Sequence, residues 1–252
     1  MGLELTVLGC AGSHPGPGRL CSGYLVRSGR TTILLDAGNG STANLQRLVP
    51  LQALDAVVIS HRHVDHCIDL IGMYYALRFD PSTVGRIPLY AAPEVHGTLT
   101  GLLSSDSQMP FDEVFRHTEV GAGDEVLVGD LALRFAHSVH VAPTVSVRVE
   151  VDGTSLVYSG DSAGGPDLVR IASGADLFLC EATWAGDADL YPEGVHLTAR
   201  QAAEVAAEAD VGRLVLTHIA GGTDREQVLR EAREVFDGSV ELAEDLALYR
   251  LP

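Results

Sequence analysis

The stretch from Val57 to Asp69 reads V-V-I-S-H-R-H-V-D-H-C-I-D. Its β-branched start is typical of the end of a buried strand, and His61, His63, Asp65 and His66 follow closely. Imidazole nitrogen and carboxylate oxygen are the ligands that zinc takes when thiolates are absent. On a loop between a strand and a helix, His61 and His63 can converge on one metal ion, while Asp65 and His66 turn toward a second. The alternative is a solvated loop that happens to be rich in histidine, but so many ligands directly after a buried strand favour a binuclear metal site.

The composition is that of a globular, acidic protein. Of 252 residues, 46% are hydrophobic and 20% are charged, which is enough apolar material for a sizeable core. The formal net charge is -17, because 17 Lys and Arg face 34 Asp and Glu. An acidic surface repels the phosphate backbone, so a long nucleic-acid partner is disfavoured. No linker-like composition interrupts the sequence, and we expect a single domain over residues 1–252.

The N-terminal segment and the cysteines favour a cytoplasmic location. The sequence M-G-L-E-L-T-V-L-G-C runs directly into a strand pattern, without the basic and apolar regions of a secretory signal. No apolar run is long enough to span a membrane, so no membrane association is expected. Cys10, Cys21, Cys67 and Cys180 show no paired spacing, which favours free thiols. Cys67 adjoins His66 and could ligate a metal, but a small buried side chain is the preferred interpretation.

Hydrophobic periodicity predicts alternating strands and helices. Strands are expected at residues 3–8, 22–27, 31–35, 54–60, 87–91, 125–128, 131–137, 144–151, 155–159, 175–180, 214–217, 240–243 and 246–250. Helices are expected at residues 41–48, 68–79, 93–103, 166–172, 198–209 and 224–236, with Ser41 and Thr198 as N-caps and Pro93 at a helix start. The helix at 68–79 is apolar on more than one face, which is consistent with a subunit contact. We interpret His96 and His117 as surface histidines.

Four further candidate site residues follow predicted strands: His140, Asp161, Glu181 and His218. Each alone is a weak signal, because a histidine after a strand is usually structural and Asp161 in Y-S-G-D-S can be a turn residue. Asp36, at the end of L-L-D-A-G, either caps a turn or orients a metal-bound histidine. The repeated placement at strand ends predicts two α/β layers packed sheet to sheet, with a site at the sheet edges between them.

Together these residues resemble the metallo-β-lactamase fold superfamily over essentially the whole chain, and H-x-H-x-D-H at 61–66 is highly specific for it. The sequence is most similar to the ribonuclease Z and cyclic-nucleotide phosphodiesterase branch. The motifs that carry this resemblance are L-G-C-A-G-S at 8–13, L-L-D-A-G at 34–38, H-V-A-P-T at 140–144, Y-S-G-D-S at 158–162, C-E-A-T-W at 180–184, H-L-T at 196–198 and L-T-H-I at 216–219. The resemblance implies an α/β fold, a four-layer αβ/βα sandwich.

The resemblance also implies two zinc ions, with manganese as the alternative metal. The family pattern assigns one ion to His61, His63 and His140, and the other to Asp65, His66 and His218, with Asp161 bridging both and Asp36 in the surrounding shell. His137 competes with His140 for its position, and the V-A-P-T that follows favours His140.

Catalytic roles follow from the same resemblance. Two metal ions would turn a shared water into an attacking hydroxide and stabilise charge on phosphoryl oxygens, and Asp65 can accept the proton. In ribonuclease Z-like enzymes, a Glu of H-E-A-T and a His of H-S-T protonate the leaving alkoxide. Glu181 and His196 match these positions, with His196 as general acid; the alternative for His196 is a structural residue at a helix start. Cys180 and Leu197 depart from the two motifs, which leaves the outer partner of the relay open.

The Glu181 and His196 pair favours phosphodiesters over β-lactams and thioesters. The resemblance implies that tRNA processing needs a long protruding arm to grip the RNA, and no basic stretch of that length is visible here. We therefore expect a small substrate, a 3′,5′-cyclic nucleotide such as cyclic AMP, hydrolysed to the 5′-monophosphate. The alternative is a ribonuclease Z-like tRNA 3′-processing endonuclease; a lactonase or thioesterase on the same dimetal centre, and a non-enzymatic binding module, are further alternatives. A flavin-linked di-iron oxidoreductase is disfavoured, because that branch has a glutamate within the histidine cluster and His63 is histidine. A homodimer is expected, and no substrate-binding residue is identified.

Overall fold

The structure is a computed structural model that describes residues 2–252, apart from the side chains of residues 107–109. Its strands in chain order are β1 Leu3–Gly9, β2 Ala11–Gly12, β3 Gly23–Ser28, β4 Thr31–Ala37, β5 Ala56–Ile59, β6 Ile87–Ala91, β7 Phe115–Glu119, β8 Glu125–Val128, β9 Leu131–Ser138, β10 Thr144–Val151, β11 Thr154–Tyr158, β12 Leu177–Glu181, β13 Arg213–Thr217, β14 Ile219–Ala220, β15 Ser239–Leu242 and β16 Leu248–Arg250. The helices are α1 Ser41–Leu45, α2 Val64–Cys67, α3 Asp69–Phe79, α4 Val95–Gly101, α5 Ser105–Val114, α6 Pro166–Ala172, α7 Ala199–Glu208 and α8 Arg225–Arg233. Short 3₁₀ helices lie at Leu51–Ala53 and Ala188–Leu190.

Two seven-stranded sheets form the centre of the molecule. The first has the order β16-β1-β3-β4-β5-β6-β7, and the second has the order β15-β13-β12-β11-β10-β9-β8. Strands β4 to β7 pair in parallel, as do β11, β12, β13 and β15, whereas the remaining pairs in both sheets are antiparallel. The short strands β2 and β14 pair in parallel and join the loop after β1 to the segment after β13.

The burial of β12 shows how the layers are stacked. Leu177 and Leu179 belong to the core shared by the two sheets, and Phe178 and Cys180 belong to the core beneath α6, α7 and α8. Because side chains alternate along a strand, a strand that is covered on both faces reads as a continuous apolar run. Helices α1 and α5 pack against strands of the first sheet. The predicted αβ/βα sandwich is confirmed.

Most of the predicted elements are confirmed within two or three residues, but the short elements β2, β14 and α2 and two longer ones, a helix and a strand, were missed. The missed helix is α5, which contains Pro110 and offers little apolar periodicity. The missed strand is β7, an edge strand in which only Phe115 is buried. His96 and His117, which were interpreted as surface histidines, are half-buried and stacked with ring centroids 4.6 Å apart. His96 also pairs with Asp112 at 2.8 Å, so that interpretation was incomplete.

Two predicted helix starts were wrong. Helix α4 begins at Val95 rather than at Pro93. The N-cap of α1 is Gly40, with φ 89°, and Ser41 makes no capping hydrogen bond. The backbone N–H groups of Gly40 and Thr42 instead donate to the two carboxylate oxygens of Asp69, at 3.1 and 2.9 Å. The free N–H groups of α1 are therefore satisfied by a residue of α3.

Among the described residues, no helix combines the length and the apolar character needed to cross a bilayer.

Candidate active site

The candidate ligands come together where strands of the two sheets end. Asp36 lies near the end of β4 and the 61–66 cluster directly follows β5; these belong to the first sheet. In the second sheet, His140 follows β9, Asp161 follows β11, Glu181 ends β12 and His218 follows β13. Parallel neighbours end at the same edge of a sheet, and this is where open α/β sheets place their sites. The predicted location between the sheet edges therefore agrees with the structure.

Asp161 lies between two groups of candidate ligands. Its Oδ2 atom lies 3.5 Å from Nε2 of His61 and 3.8 Å from Nε2 of His140. Its Oδ1 atom lies 3.1 Å from Nε2 of His66 and 3.4 Å from Nε2 of His218. One carboxylate thus presents a different oxygen to each group, as expected of a bridging ligand.

Each group is compact enough to surround a cation. In the first, Nε2 of His140 lies 3.2 Å from Nδ1 of His63. In the second, Oδ2 of Asp65 lies 3.2 Å from Nε2 of His218 and 3.6 Å from Nε2 of His66. The donor atoms lie within 4.8 Å of one another in each of three overlapping sets: His61, His63, His140 and Asp161; Asp65, His66 and His218; Asp161, His196 and His218.

Several donor atoms are buried without a hydrogen bond among the described residues. They are Nε2 of His61, Nε2 of His66 and Oδ1 of Asp161. A buried polar atom without a partner is costly, so such atoms call for a bound group. Nitrogen and carboxylate oxygen donors, with no thiolate, suit zinc or manganese. The residues present therefore fit a metal centre.

The protonation states in the first group suit metal binding. Burial lowers the pKa of His61, and the nearby His66 lowers it further. Burial and the neighbouring His61 lower the pKa of His63 to about 4. Burial also lowers the pKa of His140. Because only the neutral imidazole can ligate a metal, these three side chains are ready to do so at neutral pH.

The second group attracts positive charge. Burial by itself lowers the pKa of His66, but the carboxylates of Asp161 and Asp36 raise it well above its usual range. Burial raises the pKa of Asp65, but the hydrogen bond with His218 and the charge of His66 hold it well below its usual range. The ionised carboxylates of Asp161 and Asp36 thus favour positive charge on His66, and a bound metal ion would take the place of the His66 proton.

Asp36 orients two of the histidines. Its Oδ2 atom lies 2.7 Å from Nδ1 of His66 and accepts hydrogen bonds from the hydroxyls of Ser60 and Tyr158, at 2.8 and 2.7 Å. Its Oδ1 atom accepts from the backbone N–H of Ser60 at 2.7 Å. The Ser60 hydroxyl also lies 3.0 Å from Nδ1 of His61. Partners of this kind fix the ring orientation of ligating histidines. The orienting role predicted for Asp36 is thus supported by its contacts.

The backbone around these residues is tightly constrained. Asp36 and His218 have φ values of 55° and 54°, a left-handed conformation that side chains rarely adopt. Such conformations cluster at functional sites, where the surrounding structure enforces them. At Gly38, a Cβ atom would lie 1.9 Å from the backbone oxygen of Asp65. The glycine of L-L-D-A-G therefore allows the loop after β4 to touch the cluster.

Glu181 and His196 are paired as predicted. Oε1 of Glu181, which is fully buried, lies 2.8 Å from Nδ1 of His196. Burial by itself lowers the pKa of His196, but the Glu181 carboxylate raises it to about 9. The Glu181 carboxylate thus favours the protonated form of His196, in which Nδ1–H donates to Glu181 and Nε2 is left to other partners.

Thr183 connects this pair to the candidate ligands. Its hydroxyl donates to Oε2 of Glu181 at 2.7 Å and lies 2.9 Å from Nδ1 of His218. The outer partner of Glu181 is thus a threonine of C-E-A-T-W, whereas Cys180 lies in the core beneath the helices. Ser60, Tyr158 and Thr183 were not singled out in the sequence; the only signal was their position inside quoted motifs or beside the cluster.

Two rival residues lie outside the groups. His137 is exposed on β9 and belongs to none of the ligand groups formed by the described residues. Cys67 is buried in the hydrophobic core, and its thiol donates to the backbone oxygen of Arg62 at 3.5 Å. Burial raises the pKa of Cys67 to about 12, which disfavours the thiolate that a metal needs. All four cysteines are free, as predicted, and all four are buried.

Comparison with known proteins agrees with this geometry. The family model described as "Beta-lactamase superfamily domain" matches residues 31–219, a span that contains every candidate ligand. An uncharacterized protein of Mycobacterium leprae is 38% identical over 94% of this chain and 85% of that protein. A ribonuclease Z of Methanopyrus kandleri is 31% identical, with 93% of each chain covered.

The solved structures include a similar protein of Bacillus subtilis. The metallo-beta-lactamase fold protein YhfI superposes with a TM-score of 0.88 at 25% identity, covering 100% of both chains. Its sequence, described as a probable metallo-hydrolase, is 27% identical over 96% of this chain and 97% of that protein. These relatives support a metal-dependent hydrolase. The chain belongs to the beta-lactamase superfamily and has the metallo-β-lactamase fold.

Proposed function

We propose that this chain is a binuclear metal-dependent phosphodiesterase that hydrolyses 3′,5′-cyclic nucleotides to 5′-monophosphates. The observation that carries the proposal is the 2.8 Å contact between Glu181 and His196 beside the ligand groups. A phosphodiester has a poor alkoxide leaving group, which needs a proton as the bond breaks. A thioester hydrolase has no such need, because a thiolate leaves without a proton, and the match of Glu181 and His196 to the relay of ribonuclease Z-like enzymes favours the phosphodiesterase branch over the β-lactam branch.

The ligand groups define what would be held at the site. His61, His63 and His140 would hold one ion, Asp65, His66 and His218 would hold the other, and Asp161 would contact both; zinc or manganese suits this donor set. Metal ions bound there supply a water of lowered pKa and positive charge for the phosphoryl oxygens. Asp161 lies between the two groups and would fix their position relative to each other.

Asp65 is placed to take the proton from the attacking water. Its Oδ2 atom accepts a hydrogen bond from the backbone N–H of Ser13 at 2.9 Å and faces His218. These contacts keep the carboxylate ionised and fixed in orientation, which a proton acceptor requires.

His196 supplies the proton on the other side of the reaction. Water oxygen bonds to phosphorus, the bond from phosphorus to O3′ breaks, and O3′ takes a proton from Nε2 of His196. Glu181 holds the Nδ1–H of the same ring, so the ring orientation does not change during the transfer. Oriented proton transfer of this kind contributes about 10²–10⁴-fold to a rate.

The charge of the chain favours a small substrate. With 17 basic against 34 acidic residues, binding of a folded RNA gains little from counterion release. The second candidate is tRNA 3′ processing, which is favoured by the similarity to a ribonuclease Z that spans nearly all of both chains. The same pair of ligand groups would serve either reaction, so the substrate has to be decided by turnover.

The test compares rates at equal enzyme concentration for cyclic AMP, cyclic GMP, 2′,3′-cyclic nucleotides, an aryl phosphodiester and a precursor tRNA. We expect 3′,5′-cyclic nucleotides to be hydrolysed fastest. Preferential cleavage of the tRNA would overturn the substrate assignment. Turnover of a lactone or thioester without phosphodiester turnover would overturn the reaction class. Metal content below about one ion per purified chain would instead favour a non-enzymatic binding module.

A further inference from the structure

A cavity of about 430 Å³ opens beside His196 and has an aromatic wall. The rings of Trp184 and Tyr191 stack in parallel, with centroids 4.5 Å apart and planes inclined by 4°. Trp184 also meets the His196 ring edge to face, with centroids 5.2 Å apart. The predicted proton donor therefore lies at one end of a cavity lined by a stacked aromatic pair.

The aromatic pair is held in place by backbone contacts. The N–H of Trp184 donates to the backbone oxygen of Leu197 at 3.3 Å, and the N–H of Ala199 donates to the backbone oxygen of Trp184 at 2.8 Å. The hydroxyl of Tyr191 donates to the backbone oxygen of Ala185 at 2.8 Å. These bonds attach the segment to the start of α7, so the wall is formed before any ligand arrives, which reduces the entropy lost on binding.

The polar groups of the cavity favour a neutral ligand group that both donates and accepts hydrogen bonds. Asp189 and Glu193 contribute carboxylates, which repel a phosphate and accept from amino groups. Gln201 accepts from the backbone N–H and the hydroxyl of Thr198 through Oε1, at 2.9 and 3.1 Å. What Gln201 offers the cavity is therefore its amide N–H groups.

We propose that this cavity binds the purine base of the substrate, adenine or guanine, against the Trp184 and Tyr191 pair. The inference rests on the proposed function, because it uses the role of His196 as proton donor to O3′. The nucleoside is bonded to that oxygen, so it extends from His196 away from the ligand groups and into this cavity. The volume lies in the range of about 300–1,000 Å³ that small-molecule sites occupy. A purine brings a large π-face for the aromatic wall and, at its edge, an exocyclic amine for the carboxylates.

The sole tryptophan of the chain permits a direct binding measurement. Since Trp184 lines the cavity, its fluorescence reports occupancy without any turnover. The purified protein is titrated with AMP, GMP, IMP and ribose 5-phosphate. We expect AMP and GMP to bind at least about tenfold more tightly than ribose 5-phosphate, because base stacking on an aromatic side chain contributes this much. Equal affinities for AMP and ribose 5-phosphate would overturn the inference.

Variants of the wall and of the carboxylates sharpen the test. Tyr191→Leu should remove most of the advantage of AMP over ribose 5-phosphate, whereas Tyr191→Phe, which keeps the ring, should retain it. The double substitution Asp189→Asn with Glu193→Gln, on the exposed rim, should reduce the preference for AMP over IMP, which lacks the exocyclic amine. The rim variant keeps the test decisive if Tyr191→Leu fails to fold. An AMP advantage unaffected by both changes would contradict a base site in this cavity.

Turnover separates this inference from the proposed function. Cyclic AMP is compared with the abasic 3′,5′-cyclic phosphate of the same sugar, and the wild type should show a KM at least about tenfold lower for cyclic AMP. If both are hydrolysed with equal KM, the base site is wrong and the phosphodiesterase proposal stands. If neither is hydrolysed, the phosphodiesterase proposal is wrong, and saturable binding of AMP over ribose 5-phosphate still decides the base site.

Discussion

Nδ1 of His196 lies 2.8 Å from Oε1 of Glu181, a carboxylate with no exposed surface. A buried carboxylate is stable only if its oxygens are hydrogen-bonded, and here Oε1 also accepts from the backbone N–H of Ser162 at 2.7 Å while Oε2 accepts from Thr183. With both oxygens committed, Glu181 is fixed in position against His196, and its charge favours the protonated form of that ring.

Removal of the proton donor should slow catalysis without emptying the metal site. We expect His196→Ala to lower kcat for a cyclic nucleotide by about 10²–10⁴-fold, since general acid catalysis contributes that much. Metal content should be unchanged, because His196 is bound to Glu181 through Nδ1. His96→Ala, at the half-buried pair with Asp112 away from the site, is the matched control. Loss of metal in His196→Ala would show that His196 is a ligand rather than an acid.

The pH dependence should report the protonated form of His196. Since Glu181 raises the pKa of His196 to about 9, the acid is available below this pH, and kcat should fall as pH rises through it. Glu181→Gln lacks the negative charge that raises the pKa of His196, so kcat should begin to fall at lower pH in this variant. The measurement is the kcat profile from pH 6 to 10 for both proteins, with a leaving group that needs no proton, such as p-nitrophenolate, as control. Superimposable profiles would contradict the pairing.

His140 and His137 compete for one ligand position, and metal affinity separates them. His140→Ala should weaken metal binding by at least about 100-fold, more than the loss of a residue that only orients a ligand. His137→Ala should leave affinity unchanged, because its side chain is exposed and outside the ligand groups formed by the described residues. Competition with a chelator, followed by elemental analysis, measures both. The reverse order of effects would reassign the ligand.

Gly38 should be intolerant of a side chain. A Cβ atom there would lie 1.9 Å from the backbone oxygen of Asp65, so Gly38→Ala should destabilise the fold by about 2 kcal/mol or more, as overpacking does. Gly72, inside α3, has nothing within 4 Å of its Cβ position, and Gly72→Ala should stabilise by about 0.5–1 kcal/mol. Urea unfolding at equal metal content measures both changes. Equal effects at the two positions would contradict the close approach at Gly38.

The homodimer remains a proposal, and α3 offers the surface for it. Phe79 is 76% exposed, Tyr75 is 40% exposed, and their rings stack with centroids 6.3 Å apart. Light scattering should give twice the chain mass for the wild type and a single chain mass for Phe79→Glu. Leu127→Glu, at an equally exposed position on the edge strand β8, should remain dimeric. A monomeric wild type would refute the proposal.

Most of the features that could be predicted depend on residues that are close in sequence. The spacing within 61–66 is local, so it indicated metal ligands before any fold was known. The capping box of α7 is also local: Thr198 accepts from the backbone N–H of Gln201, and Gln201 accepts from that of Thr198. By contrast, the cap of α1 comes from Asp69, which no local pattern around Ser41 could show.

The sequence by itself determined the superfamily resemblance, the strand and helix order, and the set of candidate ligands, because periodicity and motif spacing are properties of neighbouring residues. Only the tertiary structure decided how those residues work together. The hydroxyl of Tyr158 reaches Asp36 across 122 positions of sequence, and Thr183 joins Glu181 to His218. The cavity beside His196 was likewise invisible, since Trp184 and Tyr191 stack only when the segment between them turns back through the 3₁₀ helix Ala188–Leu190. Hydrogen bonds and ring contacts depend on distances that the packing of the two sheets sets, and no pattern of residue types encodes them locally.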